Sequence, residues 1–335
     1  MYPYGKPDFF GLIKQTPEDF IVTENLGFEP SGSGEHLFLF IEKINQTTQE
    51  IIQQLSRGYD IRERDIGYSG LKDRQAITRQ WFSLYLPGKM KNLQKVELQS
   101  CKILQSSWHD KKLRPGTHKS NDFEIVVSQL SGDDSKFTDQ LQQVETSGFA
   151  NYFGQQRFGS QQNNVDKGLQ ILTSPHKSKR LTRSRKSIYL SALRSYLFNQ
   201  ILSKRISHGI WLQPAEGDVF MLKGTHSIFT EHLNQEILER YQSGDISSTA
   251  SLFGSGESKL TELALEMEQD VFNASQNITA CLKIHKAKLQ MRSCREFVQN
   301  LQVDCDSGNT KLKLKVRLPS GAYLTTLLSH FLSFN

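Results

Sequence analysis

Short runs of alternating apolar and polar residues, broken by turn residues, open the chain. In PEDFIVTENLGFEPSGSGEHLFLFIEK at 17–43, the alternation predicts strands at 20–24 and 36–41, joined by a Gly/Ser/Pro loop at 30–34. Thr47 and Glu50 then stand at capping-box spacing. Ile51, Ile52 and Leu55 continue one apolar face, so a helix runs to about Arg57 and stops at Gly58. Strands at 66–69 and 80–86 follow, and strand, helix, strand is a mixed α/β beginning. Further on, 123–127 is an apolar strand, and Ile188, Ala192, Tyr196 and Ile201 have helical spacing that runs to about Arg205. Residues 210–300 mix strands and helices with few chemical landmarks. Near the end, 311–318 alternates Lys or Arg with Leu or Val at every position, which predicts a two-faced strand. Pro319 to Ala322 break it and deliver Tyr323 just before a final apolar helix.

Composition narrows the class. At 335 residues, with 37% apolar and 23% charged positions, the chain can bury a substantial core and has room for two domains. Forty-one Lys and Arg against 35 Asp and Glu give +6, a moderately basic balance that suits a polyanionic partner. Cys101, Cys281, Cys294 and Cys305 are widely spaced with no CxxC pair, which reads as reduced thiols and no structural zinc. The N-terminus lacks a signal-peptide pattern, and no apolar run approaches the roughly 18 residues of a membrane span. Cytoplasm is the default compartment.

Candidate chemistry clusters in a few stretches. GYSGLKDRQAITRQWFSL at 67–84 sets Asp73 between Lys72 and Arg74 on a tight connection between two strands, with Gly67 and Gly70 before it. A Lys-Asp-Arg triplet is also ordinary surface chemistry. Lys111, Lys112, Arg114, His118 and Lys119 surround Pro115 and Gly116; a phosphate-holding loop and a solvated turn both fit this pattern. NYFGQQRFG at 151–159 mixes aromatics, amides and an arginine, as a surface that stacks on bases and reads their edges would. After a polar stretch at 160–182, which has the look of a hinge, Arg183, Arg185 and Lys186 belong to a basic run with no acid in it. Cations at a helix start oppose the helix dipole, so an anionic partner explains them better than helix stability does; a solvated linker is the alternative. SLFGSGES at 251–258 lacks the lysine and hydroxyl spacing of a phosphate loop.

Seven stretches, taken together and in order, resemble the bacterial tRNA pseudouridine synthase D (TruD) family: PEDFIVTENLGFEPSGSGEH, SGLKDRQAITRQWFS, KLRPGTHKSNDF, NYFGQQRFG, SIYLSALRSYLFNQ, FGSGE and LPSGAYLT. The resemblance implies an α/β (α+β) pseudouridine synthase fold with a mixed sheet, interrupted by an inserted α/β TRUD domain. The catalytic domain would then be 1–159 and 300–335, and the insertion 160–299. It implies Asp73 as the catalytic aspartate, nucleophile or base, and Phe20, Asn151 and Tyr323 at uridine-binding positions. Phe153 would support them, and Lys14 and Lys43 would hold the site or the RNA. Lys112, Arg114, Arg183, Arg185 and Lys186 are the candidate RNA contacts, and tRNA is the implied partner, with uridine 13 the implied target. No metal, cofactor, membrane or protein partner is implied, because an aspartate ionised at neutral pH needs no electron sink for this isomerisation. A non-catalytic RNA-binding protein or tRNA folding chaperone on the same fold, or a synthase acting on another RNA, are the rival readings. Two departures stand out: the family's frequent Arg-Glu pair in the last helix is replaced by LLSHFLSFN, and Tyr323 stands where some members have Phe.

Overall fold

In the computed structural model, which describes residues 1–88, 96–159, 161–306 and 310–334, contacts divide the chain into two units. One is rich in strands and comprises Asp8–Asp134, Val298–Gly321 and Leu332–Asn335; the other is mainly helical and comprises Met1–Pro7, Ser135–Phe297 and Ala322–Phe331. Residue 160, where the sequence reading opens the insertion, lies outside the described residues.

In chain order the strand-rich unit begins with β1 (Phe10–Leu12), β2 (Phe20–Asn25), β3 (His36–Ile44), α1 (Thr48–Gly58), β4 (Ile66–Tyr68), β5 (Ile77–Tyr85), β6 (Cys101–His109) and β7 (Ser120–Ser131). The helical unit follows with α2 (Asp134–Ser147), β8 (Phe149–Ala150), α3 (Asn164–Leu172), α4 (Pro175–Lys179), α5 (Arg183–Ser207), β9 (Val219–Leu222) and β10 (Ile228–Thr230). It continues with α6 (Gln235–Gln242), β11 (Ile246–Leu252), α7 (Glu262–Ala274), α8 (Gln276–Ile284), β12 (Gln290–Ser293) and β13 (Arg295–Glu296). The chain then supplies β14 (Gln299–Cys305) and β15 (Lys311–Pro319) to the strand-rich unit, α9 (Leu324–Leu328) to the helical unit, and β16 (Ser333–Phe334) to the strand-rich unit again.

The strand-rich unit is one mixed sheet in the order β14-β15-β7-β2-β5-β3-β6, with β1 paired to β7 and β16, and β4 paired to β5. β2 and β5 are parallel, whereas β3 and β5, and β7 and β15, are antiparallel. The alternation in 311–318 fixes β15. Leu312, Leu314, Val316 and Leu318 are all at most 3% exposed, and each contributes roughly 1.5–3 kcal/mol by leaving water. Its register on β7 is unbroken from Lys311 opposite Ser128 to Pro319 opposite Ser120; a slip of one residue would turn all four apolar side chains to the other face. Helix α1 starts as its sequence predicts, with the Thr47 hydroxyl accepting from the Glu50 amide at 3.2 Å while the Glu50 carboxylate accepts from the Thr47 amide at 2.6 Å.

In three stretches the structure departs from the sequence expectation or sharpens it. Strand β5 begins at Ile77, and Gln80 to Leu84 are buried at every position, so both faces of this interior strand are covered. Helix α5 begins at Arg183, inside the basic run, because Thr182 caps it by accepting from the Arg185 amide at 3.3 Å. Residues 164–179, which read as part of a polar hinge, are mostly helical, as α3 and α4.

In the helical unit, β10-β9-β11-β12 form a small antiparallel sheet and β13 pairs with β8. Leu193, Leu197, Phe198, Ile201 and Leu202 of α5 anchor its core, with Trp211 and Leu282 in the same cluster. Arg205 extends this buried face to Asp218, donating from both terminal nitrogens at 2.8 and 2.7 Å. Among the described residues, no helix is long and apolar enough to cross a membrane.

Glu268 of α7 is 2% exposed and accepts the Ser251 amide at 2.6 Å. Burial pushes its carboxyl up to about 7, from 4.5. The folded chain therefore binds more protons at this group than the unfolded chain between those two values, and its contribution to stability falls as pH rises through that window. Glu268→Gln is predicted to be more stable than wild type at pH 8 and to match it near pH 4. Urea unfolding at both pH values checks this; parallel pH responses of the two proteins would remove Glu268 from the role.

Candidate active site

Asp73 lies on the connection between β4 and β5, and the connection is tied down from several sides. Lys43, on β3 and fully buried, donates its ammonium to the Asp73 backbone carbonyl at 2.9 Å and also to the Gln46 carbonyl. Burial pushes Lys43 down to about 8, against the pull of Asp73 and Glu50. Gln80 of β5 donates to the Gly70 carbonyl at 3.1 Å and accepts from the Thr48 hydroxyl at 3.0 Å; that hydroxyl in turn accepts the Lys72 amide at 3.0 Å. Gly67 is required by space, not by a positive φ: a Cβ there would come within 2.3 Å of the Leu113 carbonyl oxygen.

The side chain of Asp73 is one-third exposed. Its Oδ2 accepts from Lys14 Nζ at 2.9 Å, and its Oδ1 has no hydrogen-bond partner among the described residues. Lys14 is held in a left-handed backbone conformation, with φ of 58°, and its ammonium lies over the Phe20 ring at 4.1 Å from the centroid. Phe20 itself is 1% exposed. The ring expected to carry a base therefore carries the lysine that faces Asp73.

The neighbours of Asp73 do not serve it. Lys72 turns inward to Glu24 at 2.8 Å, with both side chains almost wholly buried, and donates to Asn121 at 2.7 Å. Asn121 is backed by His118, whose Nδ1 meets the Ser69 hydroxyl at 2.6 Å. Burial and nearby Lys72 lower His118 to about 4, so it is neutral at pH 7. Arg74 reaches Glu50 at 3.8 Å and the Asn45 carbonyl at 3.3 Å. The positive charge beside the Asp73 carboxylate thus comes from Lys14, not from the adjacent triplet residues.

A second group forms within the helical unit. Asn151 is 3% exposed, and its amide is already engaged: Nδ2 donates to the Ser293 carbonyl at 2.9 Å, and Oδ1 accepts from Arg292 at 2.5 Å. Arg292 also packs over the Phe153 ring at 4.1 Å, and burial lowers its guanidinium to about 10. The rings of Phe153 and Tyr323 meet edge to face at 6.0 Å, and Arg157 donates to the Tyr323 hydroxyl at 3.1 and 2.7 Å. The hydroxyl that distinguishes Tyr323 from Phe therefore has its partner. Gly154 fits against this ring: a Cβ there would come within 3.2 Å of Tyr323.

The predicted residues thus assemble into separate groups. Asp73 and Phe20 meet through Lys14, and Asn151, Phe153 and Tyr323 meet through Arg292 and Arg157. Lys112 and Arg114 belong to a pocket elsewhere in the strand-rich unit, and Arg183 and Arg185 are exposed at the start of α5, with Lys186 half-buried behind them. The roles of Glu24, Asn121 and Arg292 were not read from the sequence. Glu24 carried a faint signal, as an acid in an otherwise inward-facing strand position; Arg292 carried none. Among the described residues, no cluster of three or more His, Cys, Asp or Glu is arranged to hold a metal.

This mixed sheet with an acid on a β4–β5 connection is a pseudouridine synthase fold. The crystal structure of a Methanosarcina mazei protein assigned to tRNA pseudouridine synthase D superposes with a TM-score of 0.71 at 20% identity, covering 99% of this chain and 95% of that one. The family model for tRNA pseudouridine synthase D (TruD) matches residues 1–177 and 173–331. The tRNA pseudouridine synthase D of Aeromonas salmonicida is 38% identical, over 98% of this chain and 92% of its own. That of Methylococcus capsulatus is 35% identical, over 99% and 94%. The chain belongs to the tRNA pseudouridine synthase D family, whose members are RNA-modifying isomerases.

Glu24→Gln is expected to destabilise the protein by about 3 kcal/mol, because it leaves the Lys72 ammonium buried without a countercharge. Urea unfolding measures it, and a loss under about 1 kcal/mol, the size of a surface pair, would contradict the assignment.

Proposed function

We propose that the protein converts a uridine of tRNA to pseudouridine, at position 13, with Asp73 as the nucleophile or base. Family membership supports the reaction class, and one observation carries the residue: Asp73 presents Oδ1 without a hydrogen-bond partner among the described residues while Lys14 holds Oδ2. In the reaction the bond from ribose C1′ to uracil N1 breaks and C1′ joins C5; the hydrogen on C5 leaves as a proton and N1 takes one up. The isomerisation is redox-neutral. Either role calls for a carboxylate oxygen that the protein does not already engage, and Oδ1 is such an atom among the described residues. Phe20 acts through Lys14, and the engaged amide of Asn151 fixes Arg292 against Phe153, so that Tyr323 is the ring left to meet an unstacked base. We also infer that the catalytic domain is 1–159 with 300–335 and the inserted domain 160–299, although residues 135–159 share their contacts with the helical unit.

Tritium release from tRNA labelled at uracil C5 tests the proposal. Wild type should release label from position 13, and Asp73→Asn should lose turnover while binding tRNA within a few fold of wild type. Turnover retained by the variant would remove Asp73 from the chemistry, and release from another RNA alone would replace the substrate.

The start of α5 supports a second expectation. Arg183 and Arg185 are exposed cations in the first turn, where the helix dipole disfavours them. Reversing both charges should weaken tRNA binding and flatten its dependence on salt. Unchanged affinity and slope would make this run a solvated helix end.

A further inference from the structure

A pocket of about 690 Å3 lies within the strand-rich unit, and Asp73 is not among the residues that line it. His36 lines it, and Lys43, which holds the Asp73 loop, stands seven residues further along the same strand, so the two positions are separated by about 23 Å. The pocket's volume falls in the range of small-molecule sites. Phe28 and His109 pack against each other in its wall, with ring centroids 5.4 Å apart, and Phe28 is 38% exposed despite its size. Lys111, Lys112 and Arg114 supply three cations to its lining, and Asp110 supplies one carboxylate.

The pocket is built by its surroundings. Phe38, fully buried, packs edge-on against His109 at 4.9 Å and holds that ring from below. The loop that carries Phe28 is fastened to the end of β6: the Ser31 amide donates to His109 Nδ1 at 3.2 Å, and the Gly32 amide donates to the Trp108 carbonyl at 2.9 Å. Gly34, with φ of 118°, passes so close that a Cβ would lie 2.4 Å from the His109 carbonyl oxygen. His36 adds a buried Nδ1 with no hydrogen-bond partner among the described residues.

We propose that this pocket is a second nucleotide subsite, which holds an unpaired nucleotide of the RNA, with guanine preferred, at a distance from the uridine being isomerised. The base stacks on Phe28 and His109, and its phosphates meet Lys111, Lys112 and Arg114. Asp110 sets the preference: a carboxylate accepts two hydrogen bonds from the N1–H and N2–H edge of guanine, but only one from the amino group of cytosine or adenine, and uracil offers N3–H alone. Three cations against one acid leave the pocket positive, as a phosphate requires. This proposal rests on the RNA reading above and adds to it a fixed contact some 20 Å along the strand from the catalytic loop.

Full-length protein and tRNA test it in two ways. Phe28→Ala should raise the Kd for tRNA about tenfold, with kcat/KM falling by a similar factor. The double variant Lys111→Ala and Arg114→Ala should lower the slope of log K against log salt by about 0.7 for each cation. Ultraviolet cross-linking of wild type to tRNA should join a guanosine to the peptide that carries Phe28 or His109. Cross-links there to another base would overturn the guanine preference. Wild-type turnover with unchanged affinity and salt slope in the variants, and no cross-link to residues 28–34 or 109–114, would overturn the subsite. Wild-type protein that neither binds nor modifies tRNA would instead sink the functional reading on which it stands.

Discussion

The loop that carries Asp73 depends on a buried ammonium. Lys43 has no exposure to water, yet its ammonium bonds two backbone carbonyls, those of Gln46 and Asp73, and among the described residues makes no ion pair with a carboxylate. Burying a charge so weakly compensated is costly, which is why its affinity for a proton falls to about 8. The return is positional. A carbonyl pinned from inside the sheet fixes the residue that carries it, so the Asp73 carboxylate is held at the surface by a contact that does not consume it.

The remaining charges divide the work. Glu24 and Lys72 neutralise one another in the interior, and Asn121, backed by neutral His118, accepts a further bond from Lys72. This removes the nearest cation in sequence from the carboxylate. Lys14 takes its place from a separate segment, braced by a left-handed backbone and by the face of Phe20. A surface carboxylate with a single mobile partner gains little from it, because solvent screens an exposed pair. A partner seated on an aromatic face is already oriented, and it leaves Oδ1 open to whatever approaches.

The sequence carried the strands well where one physical pattern dominated. The alternation in 311–318 and the capping box at Thr47 and Glu50 each specify their element locally, and both are present as read. β5 was harder: Gln80 and Ser83 look solvent-facing by type but are buried, because the sheet covers that strand on both sides and Gln80 satisfies its amide on the loop that carries Asp73. The basic run reads as cations at a helix start, and α5 begins within it at Arg183, where a cap formed by Thr182 outweighs the poor charge placement that follows. At the site, residue identity was legible but direction was not. Nothing in a Lys-Asp-Arg triplet says that the lysine turns inward to Glu24 while another lysine, 59 positions away, faces the acid. Likewise Asn151 has the chemistry of a base reader, yet Arg292, distant in sequence, occupies its oxygen.

Strand β3 ties these observations into one constraint. Its C-terminal end carries Lys43, which fixes the acid, and its N-terminal end carries His36, in the wall of the aromatic and basic pocket. Between them the strand is paired along its length on both sides, to β5 and to β6, and its inward side chains Leu37, Leu39 and Ile41 are all at most 2% exposed. A strand bonded on both edges and packed in this way cannot lengthen or shear without breaking hydrogen bonds on two sides. The separation between His36 in the pocket wall and Lys43 under the Asp73 carbonyl is consequently a property of the sheet. If an RNA strand occupies both ends, the position of one nucleotide determines which neighbour can reach Asp73, so the site would be chosen by a fixed length as well as by the chemistry at the carboxylate.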